Sequence, residues 1–218
     1  MSKALKRWFL GSVLLSVVLF ALAGTWRDPW LWAYALTWSA SGLYANLSID
    51  EELARERFRP PTQGADRVAL AFVRVVALAH FVVGAVDGRR WHVAGPVPFG
   101  LRAFALAAMA ATFGMFFRAM RENRFFSTVV RVQGERGHRV VDTGPYSVVR
   151  HPGYAGLILA VPFSGLALGS WLAAAIGLVM SALILRRVVF EDAFLTRNLE
   201  GYAAYRERVR HRLIPSVW

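Results

Sequence analysis

Five long runs of apolar residues, almost free of charge, constrain this chain more than anything else in it. A helix needs roughly 20 apolar residues to cross a bilayer. Residues 8–24 and 29–49 carry no charge at all, and the second run opens on Trp30, Trp32 and Tyr34, residue types that favour the membrane interface. Residues 68–86 are interrupted only by Arg74 and His80, and residues 99–117 only by Arg102. Residues 153–185 are uncharged and too long for one simple span; Pro162 and the turn-like Gly169-Ser170 pair predict two short helices folded into a hairpin. The expected fold is an all-α integral membrane protein with about five to six transmembrane helices, that hairpin included. Lys3, Lys6 and Arg7 precede the first run as they would in a signal peptide, but no clean small-residue cleavage site follows, so a retained helix is expected.

The charges follow the runs. The net charge is +12, which invites a nucleic-acid reading, but the arginines are placed for a membrane. They cluster at the N-terminus, after the second run, after the fourth and after the hairpin, while the alternate loops hold only Arg27 and the Arg89-Arg90 pair. This asymmetry predicts cytoplasmic termini. Anionic lipid headgroups suffice as partners for the charge, and nucleic acid is not expected. The chain has no cysteine, which removes disulfides, thiolate catalysis and Cys-based metal sites. The spacing of His138, His151 and His211 offers no metal site, and no obligate protein partner is evident.

Three polar segments interrupt the apolar pattern. In residues 50–67, Glu51, Glu52 and Glu56 lie three or four positions from Arg55 and Arg59, which predicts a short salt-bridged helix ending before Pro60. Residues 121–152 begin with Asn123, Phe125 and Phe126, an amphipathic start suited to the membrane surface, and end in the turn signature Thr143-Gly144-Pro145-Tyr146 followed by Arg150-His151-Pro152. Pro152 fits the first turn of a helix, where its missing N–H costs nothing. Residues 186–212 have helical periodicity and predict a cytoplasmic amphipathic helix, with Glu191, Leu195, Asn198, Tyr202, Tyr205 and Val209 on one face.

Gly144-Pro145-Tyr146, Arg150-His151-Pro152, Tyr154 and Gly156, followed by Glu191-Asp192, Gly201-Tyr202, Tyr205, Val209 and Pro215, resemble the signature of the isoprenylcysteine carboxyl methyltransferase family of integral membrane methyltransferases. The resemblance covers residues 132–215. That family usually has a Glu-Glu pair where this chain has Glu191-Asp192. No internal repeat, low-complexity tract or flexible linker divides the chain, so one membrane domain over residues 1–218 is expected, with four transmembrane helices in 1–120, and the resemblance implies a cofactor-binding half in 121–218. It implies S-adenosylmethionine as cofactor and a lipophilic acceptor, either a prenylated species or a small isoprenoid or lipid metabolite. Tyr146, Arg150, His151, Pro152, Tyr154, Gly156, Glu191, Asp192, Tyr202, Tyr205 and Arg208 are the expected cofactor-binding set.

The chemistry of those residues agrees with the implication. Acidic side chains suit a ribose diol or an amine, Arg150 or Arg208 can hold a carboxylate bidentately, and the tyrosines offer ring faces for adenine or a sulfonium. Glu191, His151 and Arg150 are the candidate catalytic groups, Glu191 or His151 serving as base where the acceptor carries a proton. Asn46, Arg74 and His80 are candidates for lining an acceptor cavity, against the plainer expectation that Arg74 snorkels and His80 is hydrogen-bonded within the bundle. The Arg-rich, Lys-poor composition fits a bacterial inner membrane. Two other readings compete. An NADPH-dependent intramembrane sterol or enone reductase has a similar Arg-His-Pro-x-Tyr-x-Gly segment, but this chain continues with Leu157-Ile158-Leu159-Ala160. A non-catalytic membrane assembly protein leaves the acidic and tyrosine stripe unexplained.

Overall fold

The structure is a computed structural model and describes residues 3–58, 60 and 64–218. Eight α-helices are described: α1 (Lys3–Ala23), α2 (Pro29–Ser48), α3 (Glu51–Phe58), α4 (Arg67–Val86), α5 (Phe99–Glu122), α6 (Pro152–Leu168), α7 (Trp171–Asn198) and α8 (Tyr202–Arg208). α6 packs against α5 on one side and α7 on the other, α4 backs α7, and α1 and α2 close the bundle against α4 and α5.

Four helical segments among the described residues, rather than five to six, are long and apolar enough to cross a membrane: Leu5–Ala23, Arg67–Trp91, Phe99–Glu122 and Trp171–Asn198. α2 has the length, at 20 residues, but its tryptophans, tyrosines, serines and Asn46 dilute its apolar character. α6 has the character but not the length: its 17 residues span about 25 Å at 1.5 Å per residue, short of the roughly 30 Å hydrocarbon layer. Its burial explains how so short a helix is kept. Ala160, Ala167 and Leu168 belong to the main core with Leu19, Leu31, Tyr34 and Met109.

The hairpin forms, but its arms are unequal. Pro162 lies inside α6 without ending it, Gly169 takes the left-handed conformation at φ 85°, and the Ser170 side chain caps α7 by accepting from the Ala173 N–H. α7 then runs 28 residues, about 42 Å, so its last turns project beyond a bilayer core. Glu191 and Asp192 ride on that projection, some 30 Å along the axis from Trp171.

The single amphipathic helix expected over residues 186–212 is absent. α7 ends at Asn198, Gly201 turns the chain at φ 77°, and α8 has only seven residues. Leu199, Tyr202, Tyr205 and Val209 still cluster with Leu195, but through the fold of the turn, and Asn198 is exposed. α3 forms as expected. Among the described residues its acidic side chains pair across the fold and not along the helix: Glu56 binds Arg131, and Glu52 binds Arg136. Arg59 lies outside the described residues.

Candidate active site

Pro152 stands at the first turn of α6 with His151 as its N-cap, so the Arg150-His151 pair is fixed where the loop enters the bundle. The chain's C-terminal strap holds it there. The backbone N–H groups of Arg150 and His151 donate to the carbonyls of His211 and Arg212 at 3.0 and 2.8 Å, and the Tyr205 hydroxyl donates to the Tyr146 carbonyl at 2.7 Å. α8 and the residues after it thus close over the turn at Gly144–Ser147.

Asp192 is the knot of this arrangement. Its Oδ1 accepts from Arg150 Nε at 2.8 Å, from the Tyr202 hydroxyl at 3.0 Å and from His151 Nε2 at 3.2 Å. Its Oδ2 accepts from Arg150 Nη2 and Arg212 Nε, both at 3.1 Å. A carboxylate offers about four lone-pair sites, so this one is saturated. Arg150 is equally committed, since its remaining Nη1 donates to the Val209 carbonyl at 2.6 Å. Burial raises the phenols of Tyr146, Tyr202 and Tyr205 above their ordinary value, so they are neutral donors and ring surfaces.

Beside the knot lies a cavity with about 960 Å³ of atom-free space, part of it open to the surroundings. Tyr146, Arg150, His151, Tyr154, Glu191, Tyr202 and Tyr205 line it. Glu191 faces it from the helix position next to Asp192, roughly 100° around the axis, and accepts one hydrogen bond, from the Tyr154 hydroxyl at 2.6 Å. The other expected residues lie elsewhere. Pro152 and Asp192 are buried behind the wall, and Arg208 is exposed and paired with Asp142 at 2.7 Å. Gly156 is a helix contact: a Cβ there would stand 2.6 Å from the Thr112 carbonyl oxygen and 2.9 Å from the Phe116 nitrogen on α5. Asn46 donates to the Gly42 carbonyl of its own helix, and Arg74 is exposed. His80 is buried, with Nδ1 2.9 Å from the Ala173 carbonyl oxygen and Nε2 3.2 Å from Ser164 Oγ. None of these three reaches the cavity.

The cavity also recruits residues that local sequence patterns did not single out. Arg57 of α3 lies over the rings of Phe116 and Phe126, at 5.5 and 5.4 Å from their centroids. Burial lowers its guanidinium to about 10. Arg187 pairs with Asp66 at 2.7 Å and lies over Tyr154. Arg131 joins Glu56 to Glu135; burial alone would raise Glu56, but its hydrogen bonds from Arg131 and Ser127 hold it below its ordinary value. His138 stacks on Phe125, with ring centroids 4.5 Å apart, and burial together with Arg131 and Arg136 pushes it down to about 4. The sequence pattern placed Phe125 and Phe126 at the membrane surface; here both line the cavity.

The isoprenylcysteine carboxyl methyltransferase (ICMT) family model matches residues 103–197, from α5 through the last turn of α7. Two rice proteins described as "Probable protein-S-isoprenylcysteine O-methyltransferase", from Oryza sativa subsp. indica and subsp. japonica, are each 33% identical over 97 residues, 43% of this chain and 50% of theirs. The chain spans about half the length of these curated relatives. Both Arg150-His151-Pro152 and Glu191-Asp192 fall inside the family match, whereas Tyr202 and Tyr205 lie beyond it.

Proposed function

We propose that the chain, which the isoprenylcysteine carboxyl methyltransferase family model matches over residues 103–197, transfers a methyl group from S-adenosylmethionine to a lipophilic acceptor at the cytoplasmic face of a membrane. The observation that carries the proposal is Glu191: a carboxylate opening into a cavity walled by tyrosines, beside a neighbour whose own oxygens are fully used.

The donor set fits the cofactor. Its amine, sulfonium and ribose diol call for an anion or hydroxyl-binding carboxylate, and Glu191 supplies one. Its carboxylate calls for a cation, and Arg139, exposed at the rim of the cavity, takes that role in place of the committed Arg150. Adenine calls for apolar and aromatic surface, which Val140, Leu195, Leu199 and the rings of Tyr202 and Tyr205 provide. His151 contributes one wall, oriented by Asp192.

When bound, the cofactor supplies an electrophilic methyl group on sulfur. The chain's own residues bind and align: Glu191 and the rim hold one reactant, Phe116, Phe126 and Leu157 receive the apolar body of the other, and the loop over residues 123–141 limits water. A carboxylate acceptor needs no base. An amine or phenol acceptor gives its proton to Glu191, the carboxylate within the cavity. The basic flanks around this end support a cytoplasmic placement against anionic lipid, and an inner membrane of bacterial type suits the composition. Incubation of the purified protein with a membrane lipid extract and methyl-labelled S-adenosylmethionine, followed by mass spectrometry, tests the proposal. Label appearing in a discrete lipophilic species is expected; label remaining wholly on the cofactor counts against methyl transfer.

A further inference from the structure

The end of the bundle opposite the cavity holds a second cluster of charge. α6 runs from Pro152 at the cavity wall to Leu168, about 25 Å away, and α5 and α7 begin at that far end. Two arginines meet there, Arg89 from the helical turn Asp87–Trp91 that follows α4 and Arg102 from the first turn of α5. A Cβ on Gly169 would stand 3.2 Å from Arg89 Nη1 and 3.4 Å from Arg102 Nε. Both guanidinium groups therefore face the gap that the missing side chain leaves, at a residue whose φ of 85° favours glycine.

Like charges brought together out of water call for anions. Asp28 supplies one: its Oδ2 lies 2.6 Å from Arg89 Nε, while its Oδ1 caps α2 by accepting from the Trp30 N–H at 2.8 Å. Asp87 is buried but accepts from neutral donors, the Ser170 hydroxyl and the Val93 N–H. The Arg89 side chain is only 10% exposed, and its Nη1 donates to the Gly88 and Leu168 carbonyls. Its Nη2 is left over, together with Nε and Nη2 of Arg102; all three are buried, and none donates to an acceptor among the described residues. The Arg102 guanidinium has the Trp30 ring, 4.7 Å from its carbon to the centroid, and no carboxylate at ion-pairing distance among the described residues. Two cations thus share one carboxylate, and three of their donors point at nothing.

We infer that Arg89 and Arg102 form a site for a phosphate group at this end of the bundle. The tetrahedral oxygens of a phosphate accept from both planar forks at once, and its charge matches the cation that Asp28 leaves over. The surroundings favour the phosphodiester of a phospholipid headgroup as its source. Trp26, Trp32, Trp91 and Trp171 are exposed at this end, and tryptophan gathers at the headgroup level of a membrane. A lipid whose phosphate sits on the arginines lays its chains beside Phe104, exposed on α5. Free phosphate brings the same oxygens from water. Either one ties together the turn after α4, the start of α5 and the hairpin turn at Gly169, so occupancy steadies the frame some 25 Å from the cavity. The site stands independently of the methyl-transfer reading.

The test uses the full chain in a neutral detergent and three probes: phosphatidylglycerol, diacylglycerol with the same chains, and inorganic phosphate. Each is titrated while the thermal unfolding midpoint is followed and bound lipid is counted by native mass spectrometry. Phosphatidylglycerol is expected to raise the wild-type midpoint saturably and to bind at least about tenfold more tightly than diacylglycerol. Arg102→Gln and Arg102→Met, the second keeping an apolar stem on Trp30, each weaken phosphatidylglycerol at least about tenfold. Arg27→Gln, which removes an exposed charge from the same end, stays within about twofold of wild type. A cooperative transition without lipid reports that each variant is folded. Inorganic phosphate equalling phosphatidylglycerol, with the same loss in the Arg102 variants, supports the site and assigns its source to free phosphate; a preference for the lipid assigns it to the headgroup. Wild-type affinity in a folded Arg102 variant overturns the inference, as does an equal loss in Arg27→Gln, which makes the attraction one of diffuse charge. So does a wild type that binds phosphatidylglycerol no better than diacylglycerol and does not bind phosphate.

Discussion

Glu191 and Asp192 are neighbours in sequence in opposite situations. Asp192 holds Arg150, His151, Tyr202 and Arg212 together from a nearly inaccessible position, whereas Glu191 faces the cavity with one hydrogen bond. Both were expected to bind cofactor, because nothing local reveals that Arg150, 42 positions away, lies against one of them. The difference predicts distinct failures. Asp192→Asn leaves Arg150 buried beside an amide, and breaking such a pair costs about 3–5 kcal/mol. A clear fall in the thermal unfolding midpoint in detergent is expected, and an unchanged midpoint argues that the knot is not structural. His138 supplies a pH test of the loop. Its folded value of about 4 lies below the ordinary imidazole, so the unfolded chain takes up a proton that the folded loop refuses. Stability is therefore lost as pH falls from about 6.5 towards 4, with no contribution from this group above that range. Between pH 7 and 5 the ligand-free wild type should lose more of its midpoint than His138→Gln; parallel curves contradict the assignment.

At the scale of elements, the apolar runs foretold the helices because a membrane span needs little but length and missing charge. The hairpin turn was legible in Gly169-Ser170, and the start of α6 in Pro152. The break at residues 199–201 was not, since Tyr202, Tyr205 and Val209 continue the helical phase of α7, and only Gly201 marked the turn. α3 misled in another way. Its acids and bases sit at helix-pairing distances, yet Glu56 reaches Arg131 across 75 positions, because the 123–141 loop folds onto this helix. The close crossing of α5 and α6 depends on residues with no side chain to spare. Small residues let membrane helices approach, and Gly156 is where the backbones meet. Gly156→Ala must push the helices apart, at a cost of about 1–3 kcal/mol. The expected result is a lowered unfolding midpoint, with weaker ligand binding following from the displaced wall; a variant as stable as wild type shows that the crossing has slack.

On the scale of the whole molecule, the bundle is a frame for one end. α6 and α7 deliver Arg150, His151, Tyr154 and Glu191 to the same level, α3 and the 123–141 loop close one side, and α8 with the C-terminal strap closes another. The buried chain from Tyr34 through Ser164 to His80 and the Ala173 carbonyl ties α2, α4, α6 and α7 beneath it, which is why His80 is bound up in the frame and absent from the cavity. The central claim is that this end binds S-adenosylmethionine through Glu191. Isothermal titration of S-adenosylmethionine into the detergent-purified chain tests it most directly. Saturable binding at one site is expected for wild type and for Arg208→Gln, which lies outside the cavity, with affinity at least about tenfold weaker in a folded Glu191→Gln. Absence of saturable binding to wild type, or wild-type affinity in Glu191→Gln, would contradict the account.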